Sequence, residues 1–276
     1  MNEFEFNFEE YETMMEIARR RRSVRKFEPG RKVPREVLLK IMDAGRWSPS
    51  GANSQPWDFI CVDDEERKME VREVFLRQAE RLRTNAERFP AVRKEYMANT
   101  VAIILVIGDP RWTKCYPQGR ADIPGQVEEY AENNEYIYLA SLGSAVQMIS
   151  MAVASVGLTS AWLSGGGEET TNRELSQLLG YPSFMRAYAT IPIGYPVKGV
   201  KERYRRPLEQ VVHWNGYNPE QYRPDDLVDF YINGLRAFAM YRDSEEPEDW
   251  KDADQRLGKW KEAFTGRVTN PSGQYP

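Results

Sequence analysis

The stretch Arg19-Arg20-Arg21-Arg22-Ser23-Val24-Arg25, followed later by Ser48-Pro49-Ser50-Gly51-Ala52-Asn53-Ser54-Gln55-Pro56-Trp57, decides how this chain is read. The first segment offers guanidinium forks and a hydroxyl where a helix ends. That combination suits a phosphate, because a guanidinium can make paired, charge-assisted hydrogen bonds to its oxygens. The second is a turn-rich loop whose hydroxyl and amide groups can present donors and acceptors to the edge of a polar ring. Pro56-Trp57 then fixes the entry into a strand. Together the segments point to a phosphorylated, polar-ringed cofactor held by side chains rather than by a glycine fingerprint.

Working outward, Glu12 to Arg21 carries Met14, Met15, Ile17 and Ala18 at helical spacing, a short amphipathic helix that ends in the arginines. Pro34 opens a second helix with Val37, Leu38, Ile41 and Met42 inward and Gly45 near its end. Asp58 to Val62 reads as a strand. Glu65 to Arg88 reads as a charged helix with Val71, Val74, Phe75 and Leu82 inward. Val101 to Ile107 is a continuous apolar run, as in a strand covered on both faces. Gly108 to Asn133 is irregular and proline-rich, the kind of long loop that carries function.

The apolar helix Tyr136 to Leu158 follows, closed by Gly157, and then a short strand, Thr159 to Leu163. Asn172 is the expected N-cap of a small helix that stops at Gly180. Arg186 to Ile193 and Leu208 to Val212 complete the expected strands. Leu227, Phe230, Tyr231, Leu235 and Phe238, then Trp250, Ala253, Leu257, Trp260 and Phe264, mark two amphipathic C-terminal helices that need a surface to lie on. Few strands, much helix and no regular βαβ alternation give an α+β class.

The 276 residues permit one large domain or two small ones. A formal net charge of -4 argues against nucleic acid as the main partner, so the arginine run reads as a local anion site. Its plain alternative is the solvated end of an amphipathic helix. Cys61 and Cys115 lie far apart with no Cys-x-x-Cys, so a reduced, cytoplasmic setting without disulfides is expected. Met1 to Glu12 is acidic and aromatic rather than signal-like. The Tyr136 to Leu158 helix is interrupted by Ser141, Ser144, Gln147, Ser150 and Ser155, and reads as a buried helix at a subunit interface, not a membrane span.

His213 is the single histidine, which leaves neither a zinc site nor a Ser-His-Asp triad with its Gly-x-Ser-x-Gly elbow to assemble; no metal is expected. Gly165-Gly166-Gly167 lacks the Gly-Lys-Ser/Thr of a P-loop. It is either a plain turn or a place where backbone N–H groups approach a ligand, which the missing Cβ permits.

Arg21-Arg22-Ser23-Val24-Arg25, the Ser48 to Trp57 loop, Gly157-Leu-Thr-Ser-Ala-Trp162 before the glycine run, and Ile191-Pro-Ile-Gly-Tyr-Pro196 together resemble the nitroreductase family of flavoproteins. The motifs occur in family order over about residues 14 to 214. The resemblance implies an α+β fold with a central mixed or antiparallel sheet flanked by helices, an intertwined homodimer, and tightly held FMN at the dimer interface. It makes residues 1–215 the FMN-binding domain, with 108–133 as a substrate cap, and 216–276 a helical extension packing on the core or the partner subunit.

Carried over by position, Arg21, Arg22, Ser23 and Arg25 would hold the FMN phosphate and ribityl chain, with Arg203 and Arg205 as a second basic pair. Pro49, Ser50, Gly51 and Asn53 would lie along the flavin from the other subunit. Lys94 would sit near the pyrimidine edge, and Gly165 and Gly166 would direct backbone N–H groups toward flavin N5. Where several relatives have a Glu-Gly pair, this chain reads Gly165-Gly166.

The resemblance further implies ping-pong hydride transfer from NAD(P)H to a small, electron-poor aromatic such as a nitroaromatic or quinone. Trp112, Tyr116 and Tyr130 would stack on that acceptor. Alternatives within the same fold are reductive dehalogenation, substrate dehydrogenation or flavin fragmentation. A remote alternative is a non-enzymatic binding module.

Overall fold

The computed structural model describes residues 6, 8–82, 94–116, 125–199 and 208–230. The chain divides into two compact units, Met1–Ala86 with Ala91–Val200, and Glu87–Pro90 with Lys201–Pro276.

The first unit is built on one antiparallel sheet. Strand β1 (Trp57–Val62) pairs with β2 (Ala102–Gly108), β2 with β4 (Arg186–Gly194), and β4 with the two-residue β3 (Thr159–Ser160), in the order β1-β2-β4-β3. Every residue of β2 is buried. Its uninterrupted apolar run is the signature of a strand covered on both faces. Alternate side chains go to opposite sides. Ile104 and Val106 join the cluster beneath α2 (Arg35–Arg46) and α4 (Gln126–Ser155), where Ile41, Leu142, Val146 and Ile149 meet them. Ile103, Leu105 and Ile107 join the other cluster, with Val71, Val74 and Phe75 of α3 (Glu65–Leu82) and Leu175 of α5 (Glu169–Leu179).

The pairing of β2 with β4 slips by one residue: Val106 opposes Ala189 while Ile107 opposes Ala187. Tyr188 is therefore the extra residue of a β-bulge. The bulge explains why Ala187 and Ala189, two apart, face opposite clusters.

Helix α1 (Phe8–Arg20) starts earlier than its apolar pattern indicates and has no fully buried residue. Helix α4 also starts earlier than expected, at Gln126, because Glu-Glu-Tyr-Ala-Glu-Asn-Asn carries helix without an apolar stripe. Together with the 3-10 turn Pro110–Cys115, this shortens the irregular stretch expected over 108–133. Glu128–Ser155 is long and apolar enough to cross a membrane, and half of that window is buried inside the fold, as in a core helix.

Three local expectations are corrected. Leu82, expected inward, is exposed. Asn172 is not a cap: α5 begins at Glu169, capped by Glu168, whose carboxylate accepts from the Thr171 amide at 3.0 Å. Asn172 is instead buried, donating to the Met185 carbonyl and accepting from the Tyr181 hydroxyl and the Ala187 amide. Leu208 to Val212 is not a strand; Leu208–Gln210 forms a 3-10 turn.

In the second unit the described residues also include the turn Pro219–Gln221 and α6 (Asp225–Phe230). His213 lies against the Tyr217 ring, and its Nδ1 accepts from the Asn218 amide at 3.1 Å, a structural role. The C-terminal apolar faces from Tyr231 onward lie outside the described residues.

Candidate functional site

The arginine stretch leaves α1 extended and docks on the edge of the sheet. Ser23 forms a parallel bridge to Ser160, and the Val24 amide donates to the Ser160 carbonyl at 2.9 Å. Arg22 is buried, and its Nη1 donates to the carbonyls of Arg21 (2.6 Å) and Ala18 (3.4 Å). Arg22 thus supplies positive charge at the open carbonyl end of α1. Arg21, Ser23 and Arg25 are half-buried. The Arg25 Nε is itself buried and meets no hydrogen-bond partner among the described residues.

Lys94 and Tyr96 complete this corner. Lys94 precedes the 3-10 turn Glu95–Asn99 and is only 8% exposed. Burial, reinforced by the neighbouring Arg25 and partly offset by Glu95, pushes its ammonium down to about 8. Burial likewise pushes the Tyr96 hydroxyl up to about 12, against the opposing pull of Arg25. Two cations brought together out of water are costly unless an anion joins them.

Further along the same edge, Leu163 bridges to Thr190 and the chain enters the 3-10 turn Gly165–Gly167. The hydrogen bonds of the turn run from the Gly167 amide to Ser164 and from the Glu168 amide to Gly165, leaving the Gly165 and Gly166 amides at its open N-terminal end. Both positions are tight for a side chain. A Cβ on Gly165 would lie 2.7 Å from both amide atoms of Gln78, and one on Gly166 would lie 3.0 Å from Thr190 Oγ1.

Glu168 closes the turn. Partial burial alone would raise its carboxyl, but the Thr171 hydroxyl and amide and the Arg81 guanidinium hold it down at about 2.

The Ser48 to Trp57 loop lies elsewhere, at the β1 edge. Ala52, Asn53 and Gln55 all adopt positive φ (51°, 50° and 46°), so this loop is a strained, defined object. Much of its polar content is spent internally: Ser50 Oγ accepts from the Gln55 amide, and the Gly51 amide donates to Ser141 Oγ. The Pro49 carbonyl accepts from Ser144 Oγ at 2.8 Å. Gly51 admits no Cβ, which would stand 2.2 Å from Ile137 Cγ2. Pro49 and Asn53 remain exposed.

The structure brings Arg25, Lys94 and the turn at Gly165 to the β3 side of one chain and leaves Pro49 to Asn53 at the β1 side. Three inter-strand spacings, roughly 14 Å, separate the two edges. Of the expected aromatic lid, Trp112 is exposed, and Tyr130 is half-buried on α4 rather than on a loop. Tyr116 is packed into the core and offers no free face for stacking. Arg203 and Arg205 lie outside the described residues.

Sequence reasoning missed Gln78, Arg81 and Tyr96. The first had a signal: Val71, Val74, Phe75 and Gln78 share one helical face, so a polar residue stands at an inward position of α3.

The sequence profile of the nitroreductase family matches residues 18–195. A provisionally named NADH dehydrogenase/NAD(P)H nitroreductase of Archaeoglobus fulgidus is 28% identical over 184 residues, 67% of this chain and 85% of the relative. The iodotyrosine deiodinase of Thermotoga neapolitana is 28% identical over 204 residues, 74% of this chain and 98% of the relative. A crystal structure of oxidised iodotyrosine deiodinase bound to FMN and 3-iodo-L-tyrosine superimposes with a TM-score of 0.54 at 25% identity, covering 74% of this chain and 100% of the other.

Proposed function

The chain belongs to the nitroreductase family, and from that premise we propose that it is an FMN-dependent oxidoreductase acting on small, electron-poor aromatic compounds. Bound FMN would take hydride from NAD(P)H and pass it to an acceptor such as a nitroaromatic or quinone.

One observation carries the reading: the buried Nε of Arg25, which meets no hydrogen-bond partner among the described residues, lies close to the buried ammonium of Lys94. An anionic cofactor would add counter-charge beside the two cations, beyond the partial offset that Glu95 gives Lys94. Arg21, Ser23 and Arg25, on the segment docked at the sheet edge, would hold the phosphate and ribityl chain, with Arg22 fixing that segment to α1. Lys94 would face the polar edge of the ring. The turn at Gly165 and Gly166 would bring backbone donors to its reactive side, since a backbone without Cβ atoms permits that approach.

The separation of the two polar edges supports a homodimer in which Pro49, Ser50, Gly51 and Asn53 of a second copy cover the ring. The exposed side chains of Met14 on α1 and Met148 on α4 are apolar surface available to such an interface.

A second reading, reductive dehalogenation at the same site, is favoured by relatives named iodotyrosine deiodinase that align over most of the chain. Purified protein tests both. The expected result is stoichiometric bound flavin, oxidation of NAD(P)H dependent on a nitroaromatic or quinone, and loss of flavin in Arg25→Ala with Lys94→Met. Iodide release from 3-iodotyrosine by chemically reduced protein, without NAD(P)H turnover, selects the second reading. Full flavin retention in the double variant overturns the assignment of the anion corner.

A further inference from the structure

Helix α3 grips the glycine turn at both ends. Gln78, 4% exposed, donates its Nε2–H to the Gly165 carbonyl at 2.6 Å. One turn further along α3, Arg81 Nη2 reaches Glu168 Oε2 at 3.1 Å and Thr171 Oγ1 at 2.9 Å. The bond from Gln78 matters because of peptide geometry. In a planar trans peptide the carbonyl of Gly165 and the N–H of Gly166 point in opposite directions. Holding the carbonyl against α3 therefore aims the Gly166 N–H away from α3. The same carbonyl also accepts from the Glu168 amide, at the longer distance of 3.2 Å, so Gln78 provides the shorter of two holds on a Gly-Gly peptide that has no Cβ to resist turning over.

We propose that Gln78 is a positioning residue that latches the Gly165–Gly166 peptide with its N–H, rather than its carbonyl, toward the cofactor face. This rests on the flavin reading above for what lies on that face; the latch itself rests on the observed bond. An N–H donor matches a ring nitrogen that accepts, as in the oxidised flavin, whereas a carbonyl turned into the same place matches a protonated, reduced one. The latch thus holds the bound cofactor's potential down and keeps the two-electron midpoint from drifting with the backbone.

The test compares the unsubstituted holoprotein with Gln78→Met, which keeps length and packing but removes the donor, and with Gln78→Glu. In Gln78→Met the FMN midpoint should rise by an amount equal to at least tenfold in the oxidised-to-reduced ratio, about 30 mV for two electrons. Crystals of that variant should show the Gly165 carbonyl turned over. If Gln78→Met fails to fold, Gln78→Glu decides: a protonated carboxyl still donates to the Gly165 carbonyl and an ionised one repels it. Its difference from the unsubstituted protein should therefore grow as pH rises, a signature that loss of packing would not give. An unchanged midpoint in either variant with the peptide unturned overturns the latch. If the unsubstituted protein holds no FMN, the flavin reading fails on its own, and the peptide orientation in the Gln78→Met crystals still decides whether Gln78 is a latch.

Discussion

At the scale of single residues, the corner formed by Arg25, Lys94 and Tyr96 has a titration signature. Lys94 is held near 8, below the ordinary 10.5 of a lysine, by burial first and Arg25 second. Between those values the unfolded chain carries a proton that the folded chain does not, so folding stability without ligand should rise as pH goes from about 8 to about 10.5. Below about 8 the cost of holding the ammonium is fully present and constant. Chemical denaturation across this range should show the rise in the ligand-free protein and its absence in Lys94→Met. A flat profile in both would remove Lys94 from the corner. FMN should suppress the slope by supplying the counter-charge that keeps Lys94 protonated.

The expectation of an anion site at Arg21, Arg22 and Arg25 rests on local chemistry. The division of labour among them does not. Arg22 turns back to the carbonyls of Arg21 and Ala18, whereas Arg25 goes to Lys94 and Tyr96, distant in sequence. Tyr96 had no local mark at all.

At the scale of elements, α5 shows what pattern reasoning reaches and where it stops. The existence of the helix and its stop at Gly180 follow from local sequence. Its start does not, since Asn172 has the chemistry of a cap but is buried among Met185, Tyr181 and Ala187, partners supplied by the tertiary fold. Leu208 to Val212 fails as a strand for a related reason: a short segment ending in Val211-Val212 is a strand only when a neighbouring strand pairs with it.

The true cap is Glu168, held near 2 against burial by Thr171 and Arg81. Its folded value lies below the ordinary 4.5, so its contribution to stability is present above about 4.5 and lost as pH falls toward 2. Glu168→Gln should flatten the acid limb of the unfolding curve. Near neutrality Glu168→Ala should cost about 1 kcal/mol, the typical worth of a helix cap. Identical acid limbs for Glu168→Gln and the unsubstituted protein would show that the cap carries no pH-linked stability.

At the scale of the whole molecule, the sheet order separates the two motifs that opened the sequence, and the proposed homodimer would rejoin them in a shared site. If each site takes its anion corner from one copy and its Pro49 to Asn53 loop from the other, two defective chains can repair one another. Arg25→Ala and Asn53→Ala, each expected to lose flavin alone, should regain it when co-expressed at equal levels. Random pairing makes half the dimers mixed, each with one intact site, so about one quarter of all sites should hold FMN. No recovery, with mixed dimers verified by differential tags, would mean that each chain builds its site alone.

The bulge in β4 has a last consequence. Tyr188 is supernumerary to the alternation: Ala187 and Ala189 already face opposite layers, matching Ile107 and Val106 across the ladder. Excising a single amino acid from a central strand ordinarily inverts everything downstream of the cut. Here, removal of Tyr188 should instead heal the ladder into an ideal pleat, with Thr190 to Gly194 keeping their partners. A shortened protein that still melts cooperatively would mark this position as tolerant of length change, whereas excision of Ile191 should abolish folding.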